Sequence, residues 1–470
     1  MSRFNTPGTK ESVTLPASSA LRIALFLLAG SLAWAQPGSS VFGGPSVLRG
    51  DRGGSAGGGG KLFGIRPFAN ISGFYEDGLT PDSVNAEGRI PDQSSTGVSA
   101  TFGAYGYHQW KKSQLGLSYQ GRARHYTRQS NQDGIDQTLA LAYNYQPTRR
   151  IEIQLGQSAG IYSRPIGLPG LSVAGGQGFG FTPNLSIDPT MPGVPQNDIF
   201  DSRTYYLTST GGVRYHKSNR LSFAAQGAGF TVRRAATSLA GVMGVSASGT
   251  VSYRLSRTET VGAGYTYSQW TFNRAFGDAN VQTTFASYQR QLGRRWTAGG
   301  TAGVYRLEAI GLQRVALDPV IAALLGTGSA VEVFYTKTYG TTLAAHIGAQ
   351  FRHSAANFGY SRSINPGNGV YLSSQVETVY AAYSYVPFRN WSSGLQATYS
   401  RMSPRTQVLN RYEQYTGSAN ISRRIFGWLS YNASASIRRY EIVKTGFQRD
   451  SYLISMGFGF SPGEIPVSFW

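Results

Sequence analysis

The sequence contains no cysteine, few charged residues and no long apolar run. Without cysteine there is no disulfide framework, no thiolate metal site and no cysteine nucleophile. No stretch reaches the roughly 18 consecutive apolar residues that suggest a membrane-spanning helix. Charged side chains make up 14% of the chain, against about 25% in average soluble domains. These absences argue against a helical membrane protein and against an ordinary soluble domain.

The residues that are abundant indicate a different class. The chain has 60 glycines, 29 tyrosines and 24 phenylalanines. In a transmembrane β-barrel, small residues pack against the curved wall, aromatic residues lie at both lipid interfaces, and polar residues line the interior. The composition therefore predicts such a barrel, without a cofactor.

The formal net charge of +20 comes from 43 basic and 23 acidic side chains. An excess of this size is typical of proteins that meet nucleic acid, anionic membrane surfaces or anionic solutes. The basic residues are scattered rather than gathered into one patch, so nucleic acid is not an expected partner. Outer-membrane lipid and lipopolysaccharide are expected partners, with Arg233, Arg234 and Arg274 near the outer rim.

The first 35 residues have the pattern of a secretory signal peptide. Arg22 precedes an apolar core at residues 23–29, and Ala33-Trp34-Ala35 supplies a small-residue cleavage pattern. Residues 36–60 are rich in glycine and serine and are expected to form a flexible leader.

Apolar and polar residues then alternate with a period of two. Near the end of the chain, Leu429, Tyr431 and Ala433 alternate with polar Ser430 and Asn432. Successive side chains of a strand point to opposite faces, so each such segment predicts a strand with one apolar and one polar face. The segments run for 10 to 15 residues, which suits a tilted membrane strand of about 9–11 residues with overhang.

Counting the segments predicts an all-β fold, a closed antiparallel barrel of about 18 strands over residues 61–462, with a periplasmic tail at 463–470. Sixteen is the alternative count, because four segments are weakly patterned. The connections alternate between short periplasmic turns and long external loops. The predicted starts are 66, 97, 114, 137, 151, 204, 221, 242, 259, 280, 296, 338, 357, 370, 392, 411, 428 and 451.

This pattern resembles porin-like outer-membrane barrels, including those of polysaccharide export. The resemblance implies a bacterial outer membrane, no enzymatic activity, the barrel insertion machinery as a partner, and a monomer or homo-oligomer. The aromatic face of the segment at 452–460, or the terminal Trp470, would be the insertion signal.

Two sets of side chains follow from the alternation. Basic residues of inward parity are expected to line the pore and to favour anions, although any one of them could instead pair with a carboxylate or stiffen the wall. They are Arg122, Arg124, Arg128, Arg214, Arg254, Arg352 and Arg438. Aromatic residues beside the short turns are expected to form an interfacial girdle. They are Trp110, Tyr145, Tyr215, Tyr253, Trp296, Trp391 and Trp428.

A long loop is predicted at residues 308–330. Within it Asp318 is a good helix N-cap and Pro319 suits the first helical position. Leu324 and Leu325 make the short helix apolar, so it would have to be buried, either in the pore mouth as a constriction or against a neighbouring loop or protomer.

Three functions fit these observations. The first is a pore for passive passage of small polar solutes, with a preference for anions. The second is a conduit for export of an anionic exopolysaccharide. The third is a non-conducting barrel with a structural or adhesive role. Signals for an enzyme or a metal site are weak, because none of the five histidines has metal-ligand spacing.

Overall fold

The structure is a computed structural model. It describes residues 63–79, 93–128, 133–163, 203–237, 239–316, 329–367, 369–370, 372–388, 390–405, 409–444, 447–462 and 465–467. The predicted signal peptide and leader lie outside these residues. Among the described residues no helix is long and apolar enough to cross a membrane.

The described residues form 19 strands. They are β1 (Phe63–Leu79), β2 (Gln93–Gln109), β3 (Ser113–Tyr126), β4 (Gly134–Thr148), β5 (Ile151–Tyr162), β6 (Thr204–His216), β7 (Leu221–Arg234), β8 (Gly241–Arg254), β9 (Glu259–Asn273), β10 (Asp278–Leu292), β11 (Trp296–Ala316), β12 (Ser329–Gln350), β13 (Ser354–Gly367), β14 (Leu372–Tyr385), β15 (Trp391–Pro404), β16 (Tyr412–Arg424), β17 (Leu429–Ile442), β18 (Phe447–Phe460) and β19 (Ile465–Val467).

These strands close into an 18-strand antiparallel barrel. Each long strand pairs with its neighbours in the chain, and β1 also pairs with β18, with Ala69 opposite Phe460. The short β19 lies within the predicted tail and continues the line of β18 along β1, with Phe63 opposite Val467. Closure pairs each long strand with a neighbour on both sides, which suits hydrocarbon, where unpaired backbone groups are costly.

The outer face of the wall is apolar and exposed. On β4, Ile135, Leu139 and Leu141 are 40–54% exposed, whereas Asp136 and Asn144 on the other face are buried. Exposed apolar side chains on the outer face of the strands, with polar side chains on the inner face, are characteristic of a barrel that lies in lipid. The protein is therefore an outer-membrane β-barrel.

The predicted strand starts agree closely with the structure. Each long strand begins within four residues of its predicted start, except β12, which begins at Ser329 instead of near 338. The predicted loop at 308–330 is wrong at its edges, because β11 continues to Ala316 and β12 pairs with it from Ser329 onward. The two strands, of 21 and 22 residues, form a hairpin that extends beyond the membrane.

Many aromatic rings lie across a strand pair on a glycine. The pairs are Phe68 on Gly103, Phe74 on Gly97, Phe102 on Gly121, Phe230 on Gly244, Phe285 on Gly264, Tyr305 on Gly340 and Tyr380 on Gly359. In each pair the ring occupies the volume that a Cβ would need. The joint abundance of glycine and aromatic residues thus has a packing cause as well as an interfacial one.

Replacing Gly97 with alanine is expected to destabilise the barrel by about 1–3 kcal/mol, the usual cost of overpacking. A Cβ there collides with the Phe74 ring and with the His125 carbonyl oxygen. Gly249→Ala is the matched control, because a Cβ at Gly249 meets no atom within 4 Å. Urea unfolding in lipid vesicles, followed by tryptophan fluorescence, measures both. Equal midpoints for the two variants would contradict this packing.

Candidate functional site

The inner face of the barrel is lined by polar side chains. Serines on adjacent strands meet in hydroxyl pairs on this face. These pairs are Ser72 with Ser99 at 2.8 Å, Ser222 with Ser252 at 2.7 Å, Ser392 with Ser422 at 2.8 Å, and Ser434 with Ser455 at 2.7 Å. Cross-strand hydroxyl pairs satisfy each other and leave a surface that water and polar solutes can contact.

Two of the predicted pore arginines lie close together on β3. Arg122 and Arg124 are 6% and 5% exposed. Arg124 donates through Nη2 to Asp136 Oδ2 at 3.0 Å, and the other oxygen of Asp136 accepts the backbone N–H of Ser163 at 2.7 Å. Glu76 accepts a hydrogen bond from the Tyr126 hydroxyl. The acids of this cluster are therefore already engaged.

Arg122 stands out from this cluster. Its Nε and Nη1 atoms are buried and have no hydrogen-bond partner among the described residues. Buried donors without a partner are costly, and the charge of this guanidinium acts on the lumen through space rather than by contact of these two atoms. Arg122 therefore places a positive charge on the inner face, opposite Asp136 in the β3–β4 ladder but with no hydrogen bond from Nε or Nη1 to a described residue.

The remaining predicted arginines are placed differently. Arg214 shares the inward parity of the buried Tyr206, and its Nη1 lies 3.5 Å from Glu152 Oε2. Arg438 is buried on the inner face of β17, with its Cζ 5.5 Å from the Tyr440 ring centroid. Arg254 is the last residue of β8 and has inward parity. Arg128 and Arg352 lie outside the strands, in the bends after β3 and β12.

The predicted girdle residues all lie at the short-turn end of the barrel. Trp110, Tyr215, Tyr253, Trp296 and Trp428 are 38–51% exposed, as residues in contact with lipid headgroups would be. Tyr145 and Trp391 are half-buried beside the same turns.

Sequence reasoning missed the most distinctive feature of the lumen, a break in the barrel wall. The ladder between β12 and β13 stops at Leu343 opposite Arg362. Beyond this point β12 continues to pair with β11, and β13 continues to pair with β14 as far as Gly367 opposite Leu372. The wall therefore separates into two layers at the long-loop end. We call the inner layer, residues 363–376, the inner hairpin.

The inner hairpin reaches across part of the lumen to β9, five strands away in the barrel, and to the loop after β7. Trp270, on the inner face of β9, donates through Nε1 to Ser373 Oγ at 3.1 Å. The backbone N–H of Ala240, in the loop after β7, donates to the Gly369 carbonyl oxygen at 3.0 Å. Because β9 and β14 are not neighbours in the sheet, these contacts cross the interior of the barrel.

Burial confirms that the inner hairpin is enclosed. Ser373, Ser374, Gln375 and Val376 are consecutive residues between 0% and 8% exposed, although a wall strand would expose every second one. Ile364 packs into a core cluster with Trp270, Tyr305 and Leu307, which are 0–1% exposed. The lumen is therefore narrowed at the long-loop end by packed side chains.

The backbone of the inner hairpin has unusual dihedral angles. Gly367 and Gly369 have φ of 77° and 96°, and Ser373 has φ of 41°. Positive φ is rare outside glycine and asparagine, and strained residues tend to cluster where function requires them. Arg234, which is 3% exposed, supports the hairpin indirectly. Its Nη1 donates to the Ala240 carbonyl oxygen at 2.6 Å, and the Ala240 N–H donates to the Gly369 carbonyl oxygen of the hairpin.

The predicted constriction residues Asp318, Pro319, Leu324 and Leu325 lie outside the described residues. Of the three arginines predicted near the outer rim, Arg234 does not face lipopolysaccharide, because it is 3% exposed. Arg233 and Arg274 are exposed, and Arg274 also donates through Nη1 to the Arg234 and Ala236 carbonyl oxygens at 3.0 and 3.1 Å. Contact of these two arginines with lipopolysaccharide stays a prediction.

His125, which shares the outward parity of Val98, forms an exposed pair with Asp133 at the long-loop end, with Nδ1 2.6 Å from Oδ2. The backbone N–H of Tyr126 donates to Asp133 Oδ1 at 2.8 Å. This hydrogen bond, with that of His125, holds the pKa of Asp133 below its ordinary value. Among the described residues no group of three or more potential metal ligands is gathered.

Comparison with known proteins finds distant similarity to solved structures. No family model matches the sequence, and no curated protein matches it. Among solved structures, Pseudomonas aeruginosa OpdQ is similar over 87% of this chain and 98% of its own, with 11% identity and a TM-score of 0.39. P. aeruginosa OccK2 (OpdF) is similar over 85% and 98%, with 11% identity and a TM-score of 0.41. Acinetobacter baumannii OccAB1 is similar over 85% and 97%, with 9% identity and a TM-score of 0.40. At these values the similarity says nothing about the solute.

Proposed function

We propose that the protein is a passive outer-membrane pore for small polar solutes that favours anions. The observation that carries the proposal is Arg122, a buried cation of the inner wall whose Nε and Nη1 donors are unused among the described residues. In a confined space, such a group attracts anions and repels cations.

The inner hairpin favours small solutes over a polymer. It extends from β13 and β14 to Trp270 and to the loop after β7, so the passage beside it is narrower than the barrel. An exopolysaccharide conduit requires a wide continuous path, which this arrangement obstructs. A non-conducting barrel remains as an outcome of the experiment.

The test is single-channel recording in a planar bilayer across a KCl gradient. We expect stepwise conductance with a reversal potential displaced from zero towards the equilibrium potential of chloride. Folded protein that inserts and gives no current would refute the proposal and would favour a structural role.

Neighbouring arginines on β17 provide a matched pair of variants. Arg438 faces the lumen, whereas Arg439 faces outward with its Nε 3.8 Å from Asp450 Oδ1. Arg438→Gln is expected to lower the chloride-to-potassium permeability ratio about two- to fourfold, the effect of one charge at about 10 Å in a partly screened medium. Arg439→Gln should leave the ratio unchanged. An equal change in both variants would show that net charge, and not the lumen wall, sets the preference.

A further inference from the structure

The outer face of the β11–β12 hairpin carries a cluster of charged and aromatic side chains that the pore does not use. Arg306 and Glu308 lie on β11, opposite Tyr339 and Lys337 of β12. Arg306 donates through Nε to Glu308 Oε1 at 3.0 Å, and Lys337 Nζ lies 3.7 Å from the same oxygen. Two cations thus share one carboxylate, and the trio keeps one positive charge.

The height of this cluster matches the outer membrane boundary. A strand rises about 3.3 Å per residue and tilts by about 40°, so an apolar band of about 25 Å covers roughly ten residues. Lys337 lies 13 residues above Gln350, the short-turn end of β12, and Arg306 lies ten residues above Trp296. The cluster therefore lies where lipid headgroups begin.

Apolar surface lies directly below the cluster, and aromatic surface lies beside it. Val304 and Leu343 are 62% and 42% exposed on the same outer face. Tyr335 and Tyr339 are 62% and 67% exposed, and Lys337 Nζ lies 6.0 Å from the Tyr339 ring centroid. This combination of an apolar wall, a cationic rim and exposed phenol groups fits an amphiphile with an anionic head.

The neighbouring strands show that such an excess is not general at this rim. On the outer face of β13 to β18, Arg362 and Arg401 lie 3.6 and 3.8 Å from Glu377, and Arg401 also lies 3.7 Å from Glu413. Arg439 pairs with Asp450 in the same way. There the arginines are matched by carboxylates, so this surface, as far as the structure describes it, has no comparable positive excess.

The break in the wall makes the cluster accessible from the side. Above Leu343, the strand β12 has a ladder partner on β11 but, among the described residues, none on β13. The residues Tyr339 and Lys337 therefore lie beside a strand edge, where backbone N–H groups can act as further donors to an anion.

We propose that this outer surface, formed by Arg306, Glu308, Lys337, Tyr335 and Tyr339, binds the phosphorylated headgroup of an outer-leaflet glycolipid. The phosphate contacts Arg306 and Lys337, and the acyl chains lie on Val304 and Leu343. The proposal is independent of conduction, because every one of these side chains faces away from the lumen.

The test measures binding of bisphosphorylated lipid A to the folded full chain in detergent micelles. The double variant Arg306→Gln with Lys337→Gln is expected to bind about 30-fold more weakly. Each basic residue near an anionic lipid surface strengthens binding about five- to sixfold, and the variant removes two of them. The control, Arg401→Gln with Arg439→Gln, removes as many charges at similar height and should change affinity by no more than about twofold. Heat-modifiable migration on gels verifies that each variant folds.

Three results would overturn the proposal. The first is equal binding of lipid A from which the phosphates have been removed, which would mean that acyl contacts alone hold it. The second is inorganic phosphate binding as tightly as lipid A, which would indicate a site for free anions. The third is a change of oligomeric state in the Arg306 and Lys337 variant with unchanged lipid affinity, which would identify a second copy of the chain as the occupant.

Discussion

Removing the tip of the inner hairpin is expected to raise single-channel conductance severalfold. Ser363 and Val376 are cross-strand partners, so residues 364–375 can be replaced by Asn-Gly, a two-residue turn that closes antiparallel strands with little strain. The deletion removes the side chains that cross the lumen to Trp270 and to the loop after β7. A wider passage offers more area to ions, and bilayer recording measures the difference.

The matched variant shortens the β11–β12 hairpin, which forms the outer layer of the wall, in the same way. Leu312 and Val333 are also cross-strand partners, so Asn-Gly can replace residues 313–332 between them. This variant lacks Asp318, Pro319, Leu324 and Leu325, the residues that the sequence predicts as a constriction. We expect its conductance to match the parent, because the described part of this hairpin forms the outer layer. An increase here, and none for the inner hairpin, would restore the sequence-based assignment.

A chemical cross-link tests the position of the inner hairpin independently of current. The chain has no cysteine, so cysteines introduced at Ala240 and Val370 are the sole thiols, and they flank the backbone hydrogen bond of 3.0 Å from the Ala240 N–H to the Gly369 carbonyl oxygen. We expect a short bifunctional maleimide to join the two cysteines in membranes, because its reach does not require the strict geometry of a disulfide. Failure of the cross-link in folded protein would place the hairpin elsewhere.

The barrel could be predicted because each strand carries its own local evidence. On β17, Leu429 to Ile437 alternate strictly with polar residues, and the short turns are flanked by aromatic residues. One face must contact lipid and the other water, so a period of two both identifies the strand and assigns its faces. The start of β12 is harder to predict. The residues that precede Thr341 lie in the part of the hairpin that extends beyond the membrane, where lipid no longer requires apolar and polar residues to alternate.

The inner hairpin could not be predicted, because it depends on contacts between distant strands. The turn-forming residues Asn365-Pro366-Gly367 and the weak alternation near residue 370 mark an irregular segment. Nothing local indicates that Ser373 meets Trp270, 103 residues earlier in the chain. Burial on both faces, as at Ser374 and Gln375, is also absent from a pattern that assumes one wet and one lipid-facing side.

The alternation of residues along each strand predicts which face of the wall an arginine lies on, but not the groups that it contacts. Arg122 and Arg124 have the same parity and lie two residues apart, and Asp136 engages only Arg124 directly. The difference arises from the register of β3 and β4, in which Arg122 lies opposite Asp136 while the carboxylate turns to Arg124. That choice depends on side-chain geometry, which alternation does not encode.

Reversing the charge at Arg122 is expected to abolish the chloride preference. Arg122→Glu changes the local charge by two units, which raises the energy of a chloride ion at about 10 Å by roughly 1.7 kcal/mol with an effective dielectric constant of about 40. The chloride-to-potassium permeability ratio should therefore fall by at least about tenfold. Reversal potentials in a KCl gradient report this ratio directly.

The conservative variants make this result specific to Arg122. Arg122→Lys keeps the charge and should keep the preference, whereas Arg122→Gln should give an intermediate ratio even if the glutamate variant folds poorly beside Glu76 and Asp136. Arg423→Glu changes the charge by the same amount on the outside of the barrel and should leave the permeability ratio unchanged. There the Arg423 Cζ lies 5.1 Å from the Trp391 ring centroid. Since salt screens a lumen charge, the preference should also weaken as KCl rises towards 1 M. If the permeability ratio changes neither in the Arg122 variants nor at higher KCl, selectivity arises from the shape of the passage beside the inner hairpin and not from its charge.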